Sequence, residues 1–249
     1  MINILKAELK KFLQGKLFIA TIFLLIIFPL MSGFMYSIMA KISDDNILLI
    51  TPGSSFVLTF NPLNNFGVIF LIFTLIILLA DFSQSTVRNK SIAGYSRDTI
   101  YLSSTIFTLI ISAIVISLNA VFTYLITSVF VGFQKETFNL FEIWIVLIFA
   151  TMALYSFVQF IANTFKSLGA SLGIVLGTLF LVFLIYTIGS INISPASNQQ
   201  IIMALPVLQL TNMIIPQGYD SVWMVLINLG YIIIIVLSGL FLNRRLDYK

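Results

Sequence analysis

The sequence contains no cysteine and no histidine in 249 residues, and only 9% of its residues are charged. The lack of cysteine excludes disulfides and thiol nucleophiles, and the lack of histidine removes the commonest acid/base residue and a common metal ligand. What remains is apolar, because 59% of the residues are hydrophobic and the mean hydropathy is +1.09. This composition leaves little material for a water-soluble domain and predicts a single integral membrane domain over residues 1–249.

Six apolar stretches reach or approach the ~20 helical residues that cross ~30 Å of hydrocarbon. They occupy residues 17–39, 63–80, 103–131, 143–163, 168–189 and 222–242. The predicted fold class is therefore an all-α integral membrane protein with six transmembrane helices. The third stretch exceeds the required length, since residues 101–131 would form a helix of ~45 Å, so it must tilt or protrude.

The basic residues are distributed unevenly between the two sides that these spans define. Of the 13 lysines and arginines, all except Lys41 and Lys135 fall at the span ends that share a side with both termini. Because translocation of Lys and Arg is disfavoured, this bias predicts cytoplasmic termini in a plasma membrane. The net charge of +4 is then explained by the lysines and arginines on the cytoplasmic side. Nucleic-acid binding is therefore not expected.

Ionisable side chains are missing from the interiors of the predicted spans, and Asp81 and Glu142 lie only at their borders. Transport driven by protons or sodium usually requires Asp, Glu, Lys or Arg within the bilayer. A membrane enzyme would need paired carboxylates, a Ser/His pair or a metal cluster. The sequence therefore disfavours both classes, and we expect no catalytic residue and no metal site.

Uncharged polar residues are the exceptions within the spans, and the main ones are Asn119, Tyr124, Gln159, Asn163 and Asn228. Such groups either bond to neighbouring helices or contact a substrate. Asn119, Tyr124, Gln159 and Asn228 are our candidates for a substrate pathway. A pathway otherwise lined by Phe, Ile, Leu and Met would suit an apolar or amphipathic cargo.

The segment before the first span is basic and amphipathic. Ile2, Leu5, Leu9 and Phe12 recur at helical spacing, and lysines occupy other faces. Residues 1–16 therefore predict an elbow helix in the plane of the membrane surface. It either anchors the topology alone or also contacts a cytoplasmic partner.

The connection after the second span, residues 81–102, is the longest predicted on the cytoplasmic side. It carries Arg88, Lys90 and Arg97, with Tyr95 at the interface and a Gly94 that could break or cap a helix. It is long enough for a helix and a turn outside the bilayer. The alternative is a solvated loop that only anchors the topology.

Two further segments carry packing signals. Gly169, Gly173 and Gly177 repeat every four residues on the fifth span, which lets another helix backbone approach, from this chain or from a second copy. Before the sixth span, an apolar segment is interrupted by Pro206 and Pro216. Because it is too short and too broken to cross, it predicts a re-entrant or interfacial pair of short helices that would cover a cavity as a lid.

Residues 87–103 read VRNKSIAGYSRDTIYLS. This stretch is similar to the K/R-N-K-x-I-x-G-Y-S-R-x-x-I-Y-L-S stretch of the permease subunits of type 2 ABC transporters that handle antimicrobial peptides, lantibiotics and bacitracin. The six spans and the elbow helix resemble the same family. The resemblance implies a bacterial protein in which residues 88–97 form a coupling helix on an ATPase, residues 199–215 form outer re-entrant helices, and two permeases surround the pathway.

ATP hydrolysis by this chain is not expected. A P-loop requires G-x-x-x-x-G-K-[ST], and the only Gly-Lys pair, Gly15-Lys16, is followed by Leu17. The expected partners are therefore a dimeric ABC ATPase that uses ATP and Mg²⁺, an identical or homologous second permease, and membrane lipids. The predicted function is export of amphipathic peptides or hydrophobic antibiotics. The alternatives are an immunity or sensor protein that binds such peptides without transport, and an exporter of lipid or ions.

Overall fold

The computed structural model describes residues 1–42, 51–83, 86–133, 139–191, 195–212 and 220–245. Within these ranges the chain forms helices joined by short turns, with no strand. The helices are α1 (Ile2–Gln14), α2 (Lys16–Ile42), α3 (Pro52–Thr59), α4 (Asn65–Ser83), α5 (Thr86–Ile92), α6 (Arg97–Val131), α7 (Leu140–Phe165), α8 (Leu168–Ser190), α9 (Pro195–Ala204), α10 (Pro206–Asn212) and α11 (Ser221–Arg245).

Five of these helices, α2, α6, α7, α8 and α11, are long and apolar enough to cross a membrane. The predicted all-helical membrane character is therefore confirmed. The second predicted span corresponds to α4, whose apolar part, Asn65–Ala80, is shorter than the other five. At 19 residues and ~1.5 Å per residue, α4 extends over about 28 Å, slightly less than the ~30 Å core.

The core of the bundle lies along α6 and α7. In the most apolar window of α7, 67% of residues are buried, against 44% in α6 and only 11% in α11. Helix α6 contacts α1, α2, α3, α7 and α11, and α7 contacts α4, α8, α10 and α11. At 35 residues, α6 also has the excess length that the sequence predicted.

The long helices alternate in direction, so the start of α6 and the ends of α7 and α11 meet at one end of the bundle. We call this the basic end, because Lys16, Arg97, Lys166 and Arg244 lie there. At this end α7 stops at Lys166, which adopts a left-handed conformation with φ of 51°, and α8 begins two residues later.

Close helix packing occurs at glycines that the sequence analysis did not single out. A Cβ on Gly33 of α2 would lie 2.5 Å from Cγ2 of Ile126 on α6. A Cβ on Gly239 of α11 would collide with the Tyr101 side chain, which is 2% exposed. At these two positions the absent glycine side chains leave room for Ile126 and Tyr101 of α6, so α2 and α11 pack closely on it.

Helix α3 is an element that the sequence analysis did not predict. Thr51 and Ser54 form a reciprocal capping box, and Pro52 occupies the first helical turn. The helix is largely buried and packs on α6. Asn64 then donates from Nδ2 to the carbonyls of Leu58 and Thr59, which ties the end of α3 to the start of α4.

The segment before α11 contains two short helices, as predicted from its prolines. Helices α9 and α10 are joined at Leu205, and Pro206 begins α10, where its missing N–H costs nothing. Helix α10 packs against α7, α8 and α9. The second proline, Pro216, lies outside the described residues.

Candidate functional site

The basic end is held together by a small apolar cluster. Ile4 of α1, Val87 of α5 and Ile100 of α6 are each at most 8% exposed, and Tyr95 packs against them. Phe12 of α1 continues this contact, with its ring centroid 6.0 Å from that of Phe107. The cluster fixes α1 and α5 against the first turns of α6.

The face of α1 that packs on the bundle differs from the apolar face read from the sequence. Ile4, Glu8 and Phe12 are buried, whereas Ile2 and Leu9 are 67% and 44% exposed. An apolar stripe of α1 therefore remains uncovered beside the packed face. Such a stripe is the feature that lets a helix bind a membrane surface.

An ion pair joins α1 to α5. The ammonium group of Lys90 donates to the Glu8 carboxylate, and the two side chains are 15% and 8% exposed. Burial of charges requires a partner, and each group supplies one for the other. Lys90 is thus directed at the protein's own first helix.

A second set of polar contacts joins α6 to α11. Nε and Nη2 of Arg244 donate to Oδ2 of Asp98 at 3.0 and 2.7 Å, on the exposed surface. Beneath this pair, Nδ2 of Asn243 donates to the Arg97 carbonyl at 3.2 Å. Asn163 of α7 donates to Oδ1 of Asn243 at 3.4 Å. The ends of three long helices are therefore bonded to one another.

Helix α5 ends in a turn that its sequence explains. Gly94 has φ of +88°, a conformation that favours glycine. The N–H of Tyr95 bonds to the Lys90 carbonyl, and that of Gly94 bonds to the Ser91 carbonyl, which is the Schellman pattern. Ser96 then caps α6 by accepting from the N–H of Thr99. The predicted break at Gly94 is confirmed.

The four predicted coupling residues have different surroundings. Arg88 is exposed, Arg97 is exposed, Tyr95 is half-buried in the apolar cluster, and Lys90 is paired with Glu8. The exposed side of α5 and its turn also includes Asn89, Ser91, Ile92 and Ala93. Ile92 is 74% exposed. We call residues 88, 89 and 91–93 the α5 surface.

A cavity of about 370 Å³ lies between α2, α6 and the α3–α4 turn, in the half of the bundle away from the basic end. Its lining combines apolar side chains with uncharged polar ones and includes no charged side chain. The lining residues are Phe28, Met31, Ser32, Met35, Tyr36, Thr59, Asn64, Asn65, Phe66 and Asn119.

Asn119 is the one residue of the predicted pathway that lines this cavity. It is 2% exposed, and its Oδ1 has no hydrogen-bond partner in the described part of the chain. Its neighbours on the same helix face satisfy themselves, because Thr123 Oγ1 donates to the Asn119 backbone carbonyl at 2.9 Å. Oδ1 of Asn119 is therefore a buried acceptor without a partner among the described residues, as are Oγ of Ser171 and Oδ1 of Asn228.

The other three pathway candidates are engaged in contacts between helices. Gln159 donates to Oγ of Ser104 and accepts from Oγ1 of Thr108, across the contact of α6 and α7. Tyr124 packs edge-on against Phe56 of α3, with ring centroids 6.4 Å apart, and lines a second cavity of about 250 Å³.

Asn228 bridges three helices. Its Nδ2 donates to Oε1 of Gln209 at 2.8 Å and to the Val146 carbonyl at 3.4 Å. Gln209 in turn donates to the Met203 carbonyl at 2.7 Å. The geometry favours the packing interpretation for Gln159 and Asn228, since their amides already bond to neighbouring helices.

The predicted glycine face of α8 is open. No atom of the described residues lies within 4 Å of the position that a Cβ would take on Gly169, Gly173 or Gly177. Large apolar side chains farther along α8 are also exposed, and Leu181 and Ile185 reach 61% and 68%. Within the described chain, this face has no helix packed on its glycines.

Metal chemistry gains no support from the described residues, where no group of three or more His, Cys, Asp or Glu could hold an ion. In comparisons with known proteins, no protein-family model and no curated sequence matches this chain. The site must therefore be interpreted from its own residues.

Proposed function

We infer that this protein is the transmembrane permease subunit of an ATP-driven exporter. A separate ATPase subunit would bind ATP and Mg²⁺ and dock on the α5 surface. The observation that carries this proposal is the way α5 is held, because the Glu8–Lys90 pair and the Ile4–Val87–Ile100 cluster fix it to the starts of both α1 and α6. A force applied to α5 would therefore be transmitted directly to α6, which has 35 residues.

The composition of the α5 surface supports a protein partner. It offers a cation at Arg88, amide and hydroxyl groups at Asn89 and Ser91, and an apolar contact at Ile92, which is 74% exposed. An exposed apolar residue within a polar rim is typical of protein interfaces. A loop serving only as a topological anchor would need the charges alone.

The membrane arrangement that fits this function has six crossings with both termini in the cytoplasm. The basic end would then be cytoplasmic, in keeping with the distribution of Lys and Arg. Helix α4 would cross with some local thinning of the bilayer, and the buried helix α3 would lie against α6 in the outer half. Helices α9 and α10 would form the outer re-entrant pair.

A second permease would pack on the open glycine face of α8. Gly169, Gly173 and Gly177 have space where their side chains would be, and the neighbouring large side chains are exposed. Small residues on a transmembrane helix let two backbones approach closely. A homodimer would place these faces together around the pathway.

The test uses two charge reversals at the basic end, Arg88→Glu on the α5 surface and Lys10→Glu on exposed α1 as the matched control. A tagged wild-type chain purified from its native membranes should carry vanadate-sensitive ATPase activity. Arg88→Glu should reduce that activity by about tenfold or more, since reversing an interface charge typically costs 2 kcal/mol or more. Lys10→Glu should leave it near the wild-type level.

Two results would count against the proposal. If the purified wild-type chain carries no ATPase activity, the proposed exporter function is rejected. Equal ATPase activity in both variants would show that the α5 surface does not bind the ATPase and serves only to anchor the topology. A defect in the efflux of sugars, ions or lipids, with unchanged efflux of amphipathic peptides, would instead reassign the cargo.

A further inference from the structure

The second cavity, of about 250 Å³ between α3, α6 and α7, is walled mainly by aromatic rings. Four of its six lining residues are aromatic and the other two are aliphatic. The lining consists of Phe56, Tyr124, Phe141 and Trp144, with Val121 and Leu140. No charged side chain of the described residues takes part in it. We call this space the aromatic cavity.

The four rings are arranged as two edge-to-face pairs. The ring centroids of Phe56 and Tyr124 are 6.4 Å apart, and the two ring planes meet at 89°. The centroids of Phe141 and Trp144 are 6.2 Å apart, with an angle of 69° between the planes. Rings at such angles form adjoining walls rather than a flat stack. The aromatic cavity therefore suits a compact, rounded group better than a planar one.

The indole N–H at the aromatic cavity is already used by the protein. Nε1 of Trp144 donates to Oγ of Ser117 on α6 at 3.1 Å, which holds the indole ring against that helix. Almost no polar atom contributes to the surface of the cavity. A ligand group that needs hydrogen bonds, such as a primary ammonium, an amide or a sugar, would lose its bonds to water there without replacing them.

These rings differ from the tryptophans and tyrosines that anchor membrane proteins at the lipid headgroups. An anchor of that kind exposes its ring and directs its polar atom toward water. Here Tyr124 and Trp144 are half-buried, Phe56 is only 6% exposed, and the Trp144 N–H is directed at α6. The rings therefore enclose a space between helices. Phe141, which is 61% exposed, stands at the mouth of that space.

An aromatic lining without polar atoms can still bind a cation. The face of an aromatic ring carries negative electrostatic potential and attracts a cation within about 6 Å of the ring centroid. A quaternary ammonium group spreads its charge over methyl groups and has no N–H, so it needs no hydrogen-bond acceptor. The volume of about 250 Å³ lies below the ~300–1,000 Å³ of pockets for drug-sized ligands, which fits a single trimethylammonium group.

The charge at this end of the bundle also favours a cation. The aromatic cavity lies opposite the basic end, because it is lined by Leu140, the first residue of α7. The exposed Glu142 follows Phe141 in the same helical turn. The segments that the predicted topology places on this side carry more acidic than basic residues, namely Asp44, Asp45, Glu136, Glu142 and Asp220 against Lys41 and Lys135. A negative surface raises the local concentration of cations.

From these features we propose that the aromatic cavity binds a trimethylammonium group, with its four rings around the cation. Choline and the headgroup of phosphatidylcholine both carry this group, so the shared chemistry defines the site and the test separates the two sources. The site goes beyond the exporter function and does not depend on it, because this chain alone forms the cavity.

The first test measures binding of radiolabelled choline to the full chain in nanodiscs of phosphatidylethanolamine and phosphatidylglycerol, which lack the trimethylammonium group. The competitor is dimethylbutanol, the neutral isostere in which carbon replaces the nitrogen. The wild type should bind choline about tenfold more tightly than this isostere. Phe141→Leu should weaken choline binding by about fivefold, because it removes a ring from the mouth. Phe180→Leu, at a 57% exposed position on α8, is the matched control and should keep the wild-type affinity.

The second test changes the electrostatics of one ring while keeping its shape. The chain has two tryptophans, and Trp223 lies on α11 with 57% of its surface exposed. In a Trp223→Phe background, biosynthetic incorporation of a fluorinated tryptophan therefore alters Trp144 alone. Fluorine weakens the negative potential of the ring face. Choline affinity should fall by about threefold, whereas the affinity for the neutral isostere and the unfolding temperature should not change.

Three outcomes would overturn the proposal. Equal affinity of the wild type for choline and its neutral isostere would show that the cavity recognises apolar shape alone. Choline binding that neither Phe141→Leu nor fluorination weakens would place the site elsewhere. A fall in the unfolding temperature of Phe141→Leu that parallels its loss of binding would make this ring structural.

The source of the bound group is identified by repeating the measurement in phosphatidylcholine nanodiscs. If the lipid headgroup fills the aromatic cavity, choline binding should be lost there and retained in nanodiscs without phosphatidylcholine. Equal choline binding in both kinds of nanodisc would assign the site to a soluble ligand. Either pattern supports recognition of the trimethylammonium group. Neither bears on the exporter function, which the ATPase measurement decides.

Discussion

Helices α6 and α8 both carry small residues along one face, yet among the described residues only the face of α6 is covered by another helix. The α6 face bears buried Ser, Thr and Asn side chains and receives α2 at Gly33, where a Cβ would lie 2.5 Å from Ile126. The α8 face bears Gly169, Gly173 and Gly177, and no described atom lies within 4 Å of where their side chains would be. A pattern of small residues therefore predicts that a backbone can come close, without identifying which backbone.

The two faces differ in the hydrogen-bonding groups that they would bring into a membrane interior. On α6 the hydroxyls of Thr105, Thr108 and Thr123 bond back to carbonyls of their own helix at 2.9 Å. They can therefore be buried at helix contacts, where Thr123 also lies 3.5 Å from Oγ of Ser32 on α2 and Thr108 also donates to Oε1 of Gln159 on α7. The glycines of α8 have no polar side chain, so leaving them without a neighbouring helix leaves no side-chain hydrogen bond unmade. The covered face of α6 and the uncovered face of α8 are thus built from different small residues.

The largest effect should come from filling the covered face. Gly33→Leu would force a side chain into Ile126 and the backbone of Thr127, and such overpacking costs about 1–3 kcal/mol or more. We expect a clear drop in the thermal unfolding temperature of the purified chain. Gly230→Leu is the control, because nothing lies within 4 Å of its Cβ position among the described residues. Equal unfolding temperatures of the two variants would show that Gly33 is no more tightly packed than Gly230.

The contacts at the basic end of α6 should rank next. Glu8→Gln leaves the Lys90 ammonium, 15% exposed, without its carboxylate. The cost should stay below the ~3–5 kcal/mol of a fully buried pair, because water reaches part of the site. Limited proteolysis should then release α1 faster. Exchanging the charges, Glu8→Lys with Lys90→Glu, should restore part of the protection; no recovery would show that the pair does not hold α1.

Substitution on the open face should leave the fold intact and change assembly. Gly173→Leu should keep the unfolding temperature of the single chain, because its Cβ position is empty. If a second copy packs there, the variant should lose the dimer, since close backbone contact drives association in bilayers. Molecular mass in detergent and single-molecule photobleaching measure this. An intact dimer would show that α8 faces lipid.

The smallest effect is expected from single cysteine substitutions, which test on which side of the membrane each end of the bundle lies. The chain lacks cysteine, so Ser91→Cys on the α5 surface and Ser197→Cys on α9 add single, nearly isosteric labels at exposed positions. Ser91 is a better marker than its neighbour Lys90, because Lys90 is engaged with Glu8. In intact cells an impermeant thiol reagent should label Ser197→Cys alone. Labelling of Ser91→Cys would invert the topology. Two other natural markers, Ser43 and Lys249, lie outside the described residues.

Much of the helical framework followed from hydropathy. The runs that predicted the third to sixth spans correspond to α6, α7, α8 and α11, because ~20 apolar residues in succession leave few alternatives to a helix. Helix α3 was missed, since PGSSFVLT is short and contains helix-breaking residues. Its capping box at Thr51 and Ser54, followed by Pro52 at the first turn, was the signal that could have revealed it.

The candidate site was predicted less completely than the fold. Asn119 stood out as one of several polar residues in the spans, but only the packed structure shows that it lines a cavity while Gln159 and Asn228 bond to neighbouring helices. Lys90 was predicted to belong to a connection that couples to an ATPase or anchors the topology, and the structure pairs it with a carboxylate of α1. Its carboxylate, Glu8, is 82 positions away, a separation at which residue spacing carries no information about contact.

The sequence alone determined that this protein is a helical membrane protein with its cations biased to one side, because both properties depend on the sum of side-chain hydration along the chain. The tertiary structure decided which small residues meet a neighbour, which charges pair and which amide is left without a partner. Those outcomes depend on distances between residues far apart in the chain. In a uniformly apolar sequence, many helix pairings would bury similar surface, so the detailed fit at positions such as Gly33 and Gly239 selects among them.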